Sequence, residues 1–149
     1  MLGAGSTGTP VTKGPLGTGT LTIGNGTSLL SDGTARSVAN AVTVNGDFTF
    51  GGVVAGNNVT LAGAVNLGAS GRTITVASPA VTSTLSGVLT STATGTALTK
   101  AGAGTLVVTA ASGLAGAGVT VAGGVLKLGA ANAIPSTSAI VVNTVVPAG

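Results

Sequence analysis

The sequence has no cysteine, no histidine and no glutamate, and its only acids are Asp32 and Asp47. The absence of cysteine excludes disulfide bonds, thiolate catalysis and cysteine-ligated metal sites. The absence of histidine and glutamate removes the commonest general bases and many metal ligands. We therefore expect a protein that is not an enzyme and that binds no metal and no cofactor.

Aromatic residues are also nearly absent, at 1% of the chain, with two phenylalanines and no tryptophan or tyrosine. Such a chain cannot build its core around large rings. It must bury many small β-branched side chains, which favour extended backbone. The mean hydropathy of +0.70 argues against disorder, because disordered chains combine low hydrophobicity with high charge.

Charged residues make up only 5% of the sequence, and the net charge of +3 comes from five isolated basic residues, Lys13, Arg36, Arg72, Lys100 and Lys127. A nucleic-acid interface needs clustered lysine and arginine, so none is expected. No apolar run approaches the ~18 residues of a membrane-spanning helix, so membrane insertion is not expected. The first residues lack the basic and apolar regions of a secretion signal.

What the sequence does contain is a series of short runs in which a polar residue separates two apolar ones. This period of two indicates strands with one buried face. The clearest runs are Leu21-Thr22-Ile23, Val42-Thr43-Val44, Phe48-Thr49-Phe50, Val59-Thr60-Leu61, Val65-Asn66-Leu67, Ile74-Thr75-Val76, Val119-Thr120-Val121 and Leu126-Lys127-Leu128.

The runs recur as a larger unit of strand, glycine corner, strand and glycine, which begins at Val42, Val59 and Val119. Units of this kind are typical of repeat architectures. The unit fits a hairpin less well than a solenoid coil, because only Asn45-Gly46 has the composition of a two-residue hairpin turn. A repeat of about 17 to 21 residues predicts an all-β parallel β-helix of roughly six to eight coils, stacked ~4.8 Å apart.

We predict a single domain over residues 1–149, with an irregular or capping N-terminus over 1–17 and a C-terminal strand over 136–149. No polar, helical cap is evident at either end, so the end coils are expected to expose strand edges that invite pairing. The predicted self-association residues are apolar residues near the two ends, Leu21, Ile23, Ile140, Val141, Val142, Val145 and Val146. The pattern does not decide whether the last strand closes its own coil or is donated to a neighbour.

Residues 98–135 resemble the β-strand repeat of bacterial autotransporter passenger domains. The similarity lies in Leu98-Thr99-Lys100-Ala101-Gly102-Ala103-Gly104-Thr105-Leu106 and in Val119-Thr120-Val121-Ala122-Gly123-Gly124-Val125-Leu126-Lys127-Leu128-Gly129. The link Ala111-Ser112-Gly113-Leu114-Ala115-Gly116 departs from it, because the family carries a tyrosine-containing segment there. The resemblance implies a right-handed parallel β-helix that is extracellular or displayed on the bacterial cell surface.

Two functions follow as expectations. In the first, the chain is a rigid spacer or filament subunit, and its partners are further copies or neighbouring coils of a longer chain. In the second, it is an adhesin-type module that presents threonine- and asparagine-rich rows to a glycan, a host surface or ice. Ice binding is the weaker of these, because the threonine runs do not recur at a constant spacing. A catalytic pair of Asp32 and Asp47 is disfavoured, since both lie beside turn glycines.

Overall fold

A computed structural model describes residues 1–8, 11–114 and 116–143, and the secondary structure of these residues is all β. Short alternating runs produce short strands, and each predicted run lies on a strand, with Leu67 directly after the end of the strand Val65–Asn66. The strands are β1 Leu21–Ile23, β2 Thr27–Leu29, β3 Arg36–Val38, β4 Val42–Val44, β5 Phe48–Phe50, β6 Val59–Leu61, β7 Val65–Asn66, β8 Arg72–Val76, β9 Thr82–Leu85, β10 Leu89–Thr90, β11 Thr96–Ala101, β12 Thr105–Val108, β13 Gly118–Val121, β14 Val125–Leu128 and β15 Ile140–Val142.

These strands form three parallel sheets that the chain visits in turn. The first sheet has the order β1-β4-β7-β10, the second β15-β13-β11-β8-β5-β2, and the third β14-β12-β9-β6-β3. Each circuit of the three sheets is one coil, and the coils stack as a β-solenoid of about five turns. The prediction of an all-β parallel solenoid is therefore confirmed, whereas the described strands do not reach the six to eight coils that the sequence suggested.

One coil contains more residues than the repeat of about 17 to 21 that the sequence predicts. The predicted strand–glycine–strand unit is one corner of a coil, with the two strands that flank it. Paired positions in adjacent coils lie between 20 residues apart (Thr105 and Val125) and 26 residues apart (Phe48 and Ile74). The units that begin at Val42, Val59 and Val119 start on the first, third and second sheets respectively. The 17-residue offset between Val42 and Val59 therefore compares two different corners of the solenoid.

The core is a set of side-chain ladders inside the coils. In β4, β5 and β6 the first and third residues of each strand are buried and the threonine between them is half-buried, as the period of two predicts. Phe48 and Phe50 face inward in register with Ile74 and Val76 of the next coil. The two rings pack edge to face, with centroids 5.1 Å apart. Stacking of like side chains fills the interior without large residues.

Glycines at one corner allow the coils to approach closely. A Cβ atom on Gly63 would lie 2.1 Å from the carbonyl oxygen of Asn40 in the preceding coil. A Cβ atom on Gly87 would lie 1.9 Å from the carbonyl oxygen of Gly63. Real side chains do not tolerate such distances, so this corner between the third and first sheets requires glycine.

The stretch over residues 77–97, which the sequence alone could not place, continues the same pattern. After the corner that contains Ser78 and Pro79, β9 pairs with β6 and β10 pairs with β7. The register there is hard to recognise because a core-facing position of β9 carries Ser83, which is fully buried. Its hydroxyl has no hydrogen-bond partner.

Candidate functional site

Among the residues that the structure describes, the C-terminal end of the solenoid is an apolar strand edge that no further coil covers. β15 is the last strand of the second sheet and β14 is the last strand of the third. Their apolar side chains are substantially exposed, at 53% for Val125, 44% for Leu128, 51% for Ile140, 46% for Val141 and 64% for Val142. Ile140 and Val142 are in register with Val119 and Val121 of the coil below. They continue an inward-facing ladder that no further described coil covers.

The backbone at this end also has unused hydrogen-bonding capacity. The Val119 N–H donates to the Ala139 carbonyl at 2.8 Å, and the Asn143 N–H donates to the Val121 carbonyl at 2.9 Å. In a parallel ladder the peptide groups of successive residues point to opposite sides. The N–H and C=O groups of Ile140 and Val142 therefore point away from β13, toward the open end. The edge can accept another strand.

A groove of about 460 Å³ lies at the corner beside this edge, lined by residues that include Gly102, Ala103, Val121, Gly124 and Val142. The corners of two successive coils form its walls. Its lining is uncharged backbone and small apolar side chains, so it has the character of a space between coils.

Lys100 lies just inside this corner and is the one charged residue fully buried among the described residues. It occupies an inward-facing position of β11, in register with Ile74. Its Nζ donates to the carbonyls of Ala101 at 2.8 Å, Gly102 at 2.9 Å and Gly123 at 3.0 Å. Burial lowers the pKa of Lys100 to about 8. The ammonium joins the corners of two coils.

The N-terminal end differs, because residues 2–6 cover part of it. We call these residues the N-terminal cap. The Leu2 N–H donates to the Leu30 carbonyl at 2.6 Å, and the Ser6 N–H donates to the Ser37 carbonyl at 2.8 Å. Leu2 also forms a parallel bridge with Ser31, and its side chain is 8% exposed and belongs to the core. The cap thus lies along the chain from Leu30 to Ser37, with Leu2 beside the segment between β2 and β3 and Ser6 on the third-sheet edge at β3, and it closes the end of the core there.

A buried asparagine holds the cap in place. Asn40, at the corner after β3, is 0% exposed. Its Oδ1 accepts a hydrogen bond from the Ser6 hydroxyl at 3.1 Å, and its Nδ2 donates to the carbonyls of Gly17 at 3.0 Å and Gly19 at 2.7 Å. The Ser6 hydroxyl in turn accepts from the Ala39 N–H at 2.9 Å. All of these polar groups are satisfied.

The predicted self-association residues lie at both ends, with different exposure. Leu21 and Ile23 are on β1, the edge strand of the first sheet at the N-terminal end. Leu21 is half-buried and Ile23 is 1% exposed. The Ile23 carbonyl accepts the Asn45 N–H of β4's coil at 2.8 Å, so Ile23 presents neither its side chain nor its carbonyl at the open edge. Ile140, Val141 and Val142 form the exposed edge strand at the other end. Val145 and Val146 lie outside the described residues.

Sequence reasoning missed four residues that shape these ends: Leu2, Val125, Leu128 and Lys100. Val125 and Leu128 belonged to a predicted strand, but only the sheet order shows that this strand is an edge. Leu2 lies in a glycine-rich segment without a strand pattern, so its pairing left no local signal. For Lys100, the alternation Leu98-Thr99-Lys100 would have indicated an inward position.

The two carboxylates each stabilise local structure. Asp32 forms a bidentate ion pair with Arg36, with oxygen–nitrogen distances of 2.6 and 3.0 Å. The hydrogen bond from Arg36 is the main reason why the pKa of Asp32 is lowered. Asp47 accepts the Thr73 N–H at 2.8 Å and thereby joins adjacent coils. Among the described residues, no group of acidic side chains could hold a metal ion.

Polar rows run along the outer faces of the solenoid. On the first sheet, Thr22, Thr43, Asn66 and Thr90 are in register on successive coils. The second sheet carries the row Thr73, Thr99 and Thr120. Polar residues of successive coils therefore align although their spacing in the sequence is not constant, since corners of different length absorb the variation.

The fold and its ends define a class of protein, a parallel β-solenoid with one open apolar edge and one partly covered end. Comparison with family models, with curated proteins and with solved structures found no match. No helix in the part of the chain that the structure describes is long and apolar enough to cross a membrane.

Proposed function

We propose that this chain is an extracellular structural protein, a right-handed β-solenoid rod that self-associates end to end through its strand edges. The observation that carries the proposal is the C-terminal edge, where three inward-facing apolar side chains, Leu128, Ile140 and Val142, are between 44% and 64% exposed. Edge strands of this kind are templates for pairing, and natural proteins usually protect them. Right-handed winding is the expectation for parallel strands joined by crossover connections.

Head-to-tail stacking of two copies continues the existing ladders. β14 of one copy lies beside β3 of the next, and β15 lies beside β2. Ile140 and Val142 then stack on Thr27 and Leu29, which are the inward-facing residues of β2. Because the two contacting surfaces differ, the contact does not close on itself and produces a filament. The resemblance of residues 98–135 to autotransporter passenger repeats supports a location at the cell surface.

Negative-stain electron microscopy of the purified chain over a range of concentrations tests this function. We expect rods of constant width whose length increases with concentration. Small uniform particles at every concentration and salt condition would contradict end-to-end association.

The aligned polar rows support a second candidate, a lateral binding surface for a glycan, a host surface or ice. Thr22, Asn66 and Thr90 of the first-sheet row are exposed, and the row repeats once per coil. The replacement Thr43→Lys would interrupt the row, whereas Thr60→Lys on the third sheet is the matched control. A glycan array and an ice-recrystallisation assay that both detect nothing with the unmodified chain would contradict this candidate.

A further inference from the structure

We propose that the third-sheet edge at β3 is the docking surface for the C-terminal edge of a second copy, and that the N-terminal cap, residues 2–6, occupies this surface as a removable substitute. This inference rests on the proposed end-to-end association. It identifies the surface that receives the second copy and the segment that competes with the second copy for this surface. The cap and the second copy exclude each other, so the cap sets the concentration at which filaments form.

The cap shows what the surface accepts. On β3 itself, the Ser6 N–H donates to the Ser37 carbonyl at 2.8 Å, where β14 of a second copy would pair. Leu2 bridges Ser31, in the segment between β2 and β3, in the parallel sense. The Leu2 side chain is 8% exposed and contributes to the core cluster. An apolar residue that points into the end of the core is therefore bound there already. At the other end of the molecule, Leu128 on β14 belongs to the same ladder as Val38 of β3, next to Ser37, and is 44% exposed.

The cap is also limited in extent, which makes it removable. Its contacts with the solenoid consist of the Leu2 side chain, the backbone hydrogen bonds at Leu30, Asp32 and Ser37, and the Ser6 hydroxyl network. Among the described residues, none of the cap's hydrogen bonds goes to β1 or β2, so the edges of these two strands stay outside it. A second copy can therefore begin to pair at β1 and β2 and then displace the cap from β3.

Two substitutions remove the cap in different ways. Leu2→Asp places a charge on the buried residue and favours its release into water. Gly14→Val acts from outside the cap, because a Cβ atom on Gly14 would lie 2.6 Å from Cβ of Ser6. Leu16→Asp is the matched control, since Leu16 belongs to the same N-terminal region but is 39% exposed.

The test is the critical concentration for filament formation, measured by sedimentation and by electron microscopy, with circular dichroism to confirm that each variant keeps its β structure. We expect Leu2→Asp and Gly14→Val to lower the critical concentration at least tenfold, and Leu16→Asp to leave it unchanged. Equal critical concentrations in all four proteins would overturn the inference and leave the proposed function standing. Weaker assembly of both uncapped variants would also overturn it, because the cap would then belong to the interface. Failure of every protein to assemble would overturn the proposed function itself.

Discussion

The substitution Val142→Asp tests the C-terminal edge directly. Val142 is 64% exposed and continues the inward-facing ladder above Val121. In a single molecule an aspartate at this position remains hydrated, so the free energy of unfolding should change by less than about 0.5 kcal/mol. In a filament the same carboxylate would be covered by the next copy and would face an apolar interior.

The expected effect on association follows from burial. Complete burial of a valine side chain is worth about 1.5 to 3 kcal/mol, and about two-thirds of that is still available at Val142, or roughly 1 to 2 kcal/mol. The uncompensated charge adds a penalty of several kcal/mol. A total above about 3 kcal/mol corresponds to association more than ~100-fold weaker.

Sedimentation velocity over a concentration series measures this effect, in the intact chain and in the Leu2→Asp background. Val53→Asp is the matched control, because Val53 is 80% exposed on the loop between β5 and β6. Thermal melting establishes that both variants are folded. Association of Val142→Asp at the strength of the unmodified chain would refute the assignment of this edge as an interface.

Three further substitutions test the interior. Gly87→Ala should destabilise the fold by about 3 kcal/mol in chemical denaturation, because its Cβ would lie 1.9 Å from a carbonyl oxygen of the preceding coil. Gly95→Ala, which has open space around it, should have little effect. Ser83→Ala removes a buried hydroxyl without a partner and should raise the free energy of unfolding by about 1 kcal/mol; an unchanged value would contradict the placement of that hydroxyl. Burial lowers the pKa of Lys100 from 10.5 to about 8, so between these pH values the unfolded state binds more protons than the folded state. The free energy of unfolding should therefore rise with pH across that window, by on the order of 2 kcal/mol. Lys100→Met should remove that rise, whereas Lys127→Met, at an exposed position, should not. The same rise in both variants would contradict the assignment of the pH dependence to Lys100.

The strands and their buried faces could be predicted from the sequence because alternation is a local property. In Val42-Thr43-Val44 the side chains of successive residues must point to opposite faces, and the observed burial follows this alternation. The coil length could not be predicted in the same way. All three corners have a similar strand–glycine–strand sequence. The sequence alone therefore does not show which strands lie on top of one another in successive coils. The loop between Phe50 and Val59 also lengthens one coil without changing the pattern.

The ends of the molecule depend on contacts that leave little local signal. Ser6 bonds to Asn40, 34 residues away, and neither residue lies in an alternating run. Lys100 follows the alternation of its strand, but its charge suggests a surface position. Only the three carbonyls that converge on Nζ make an inward lysine tolerable. The sequence points to the C-terminal edge because Ile140, Val141 and Val142 are apolar and consecutive, whereas it carries no comparable signal for the covered N-terminal edge.

The measurement that tests the central claim most directly is the diffraction pattern, or the cryo-electron microscopy power spectrum, of aligned assemblies. Stacking of about five turns per molecule predicts a meridional reflection near 4.8 Å from the strand spacing, with an axial repeat of roughly 24 to 29 Å per subunit. The two spacings must lie on the same axis, because each molecule adds its coils to the end of the previous one. A strand reflection perpendicular to the long axis of the assembly, or particles that never exceed the length of one molecule, would contradict the account.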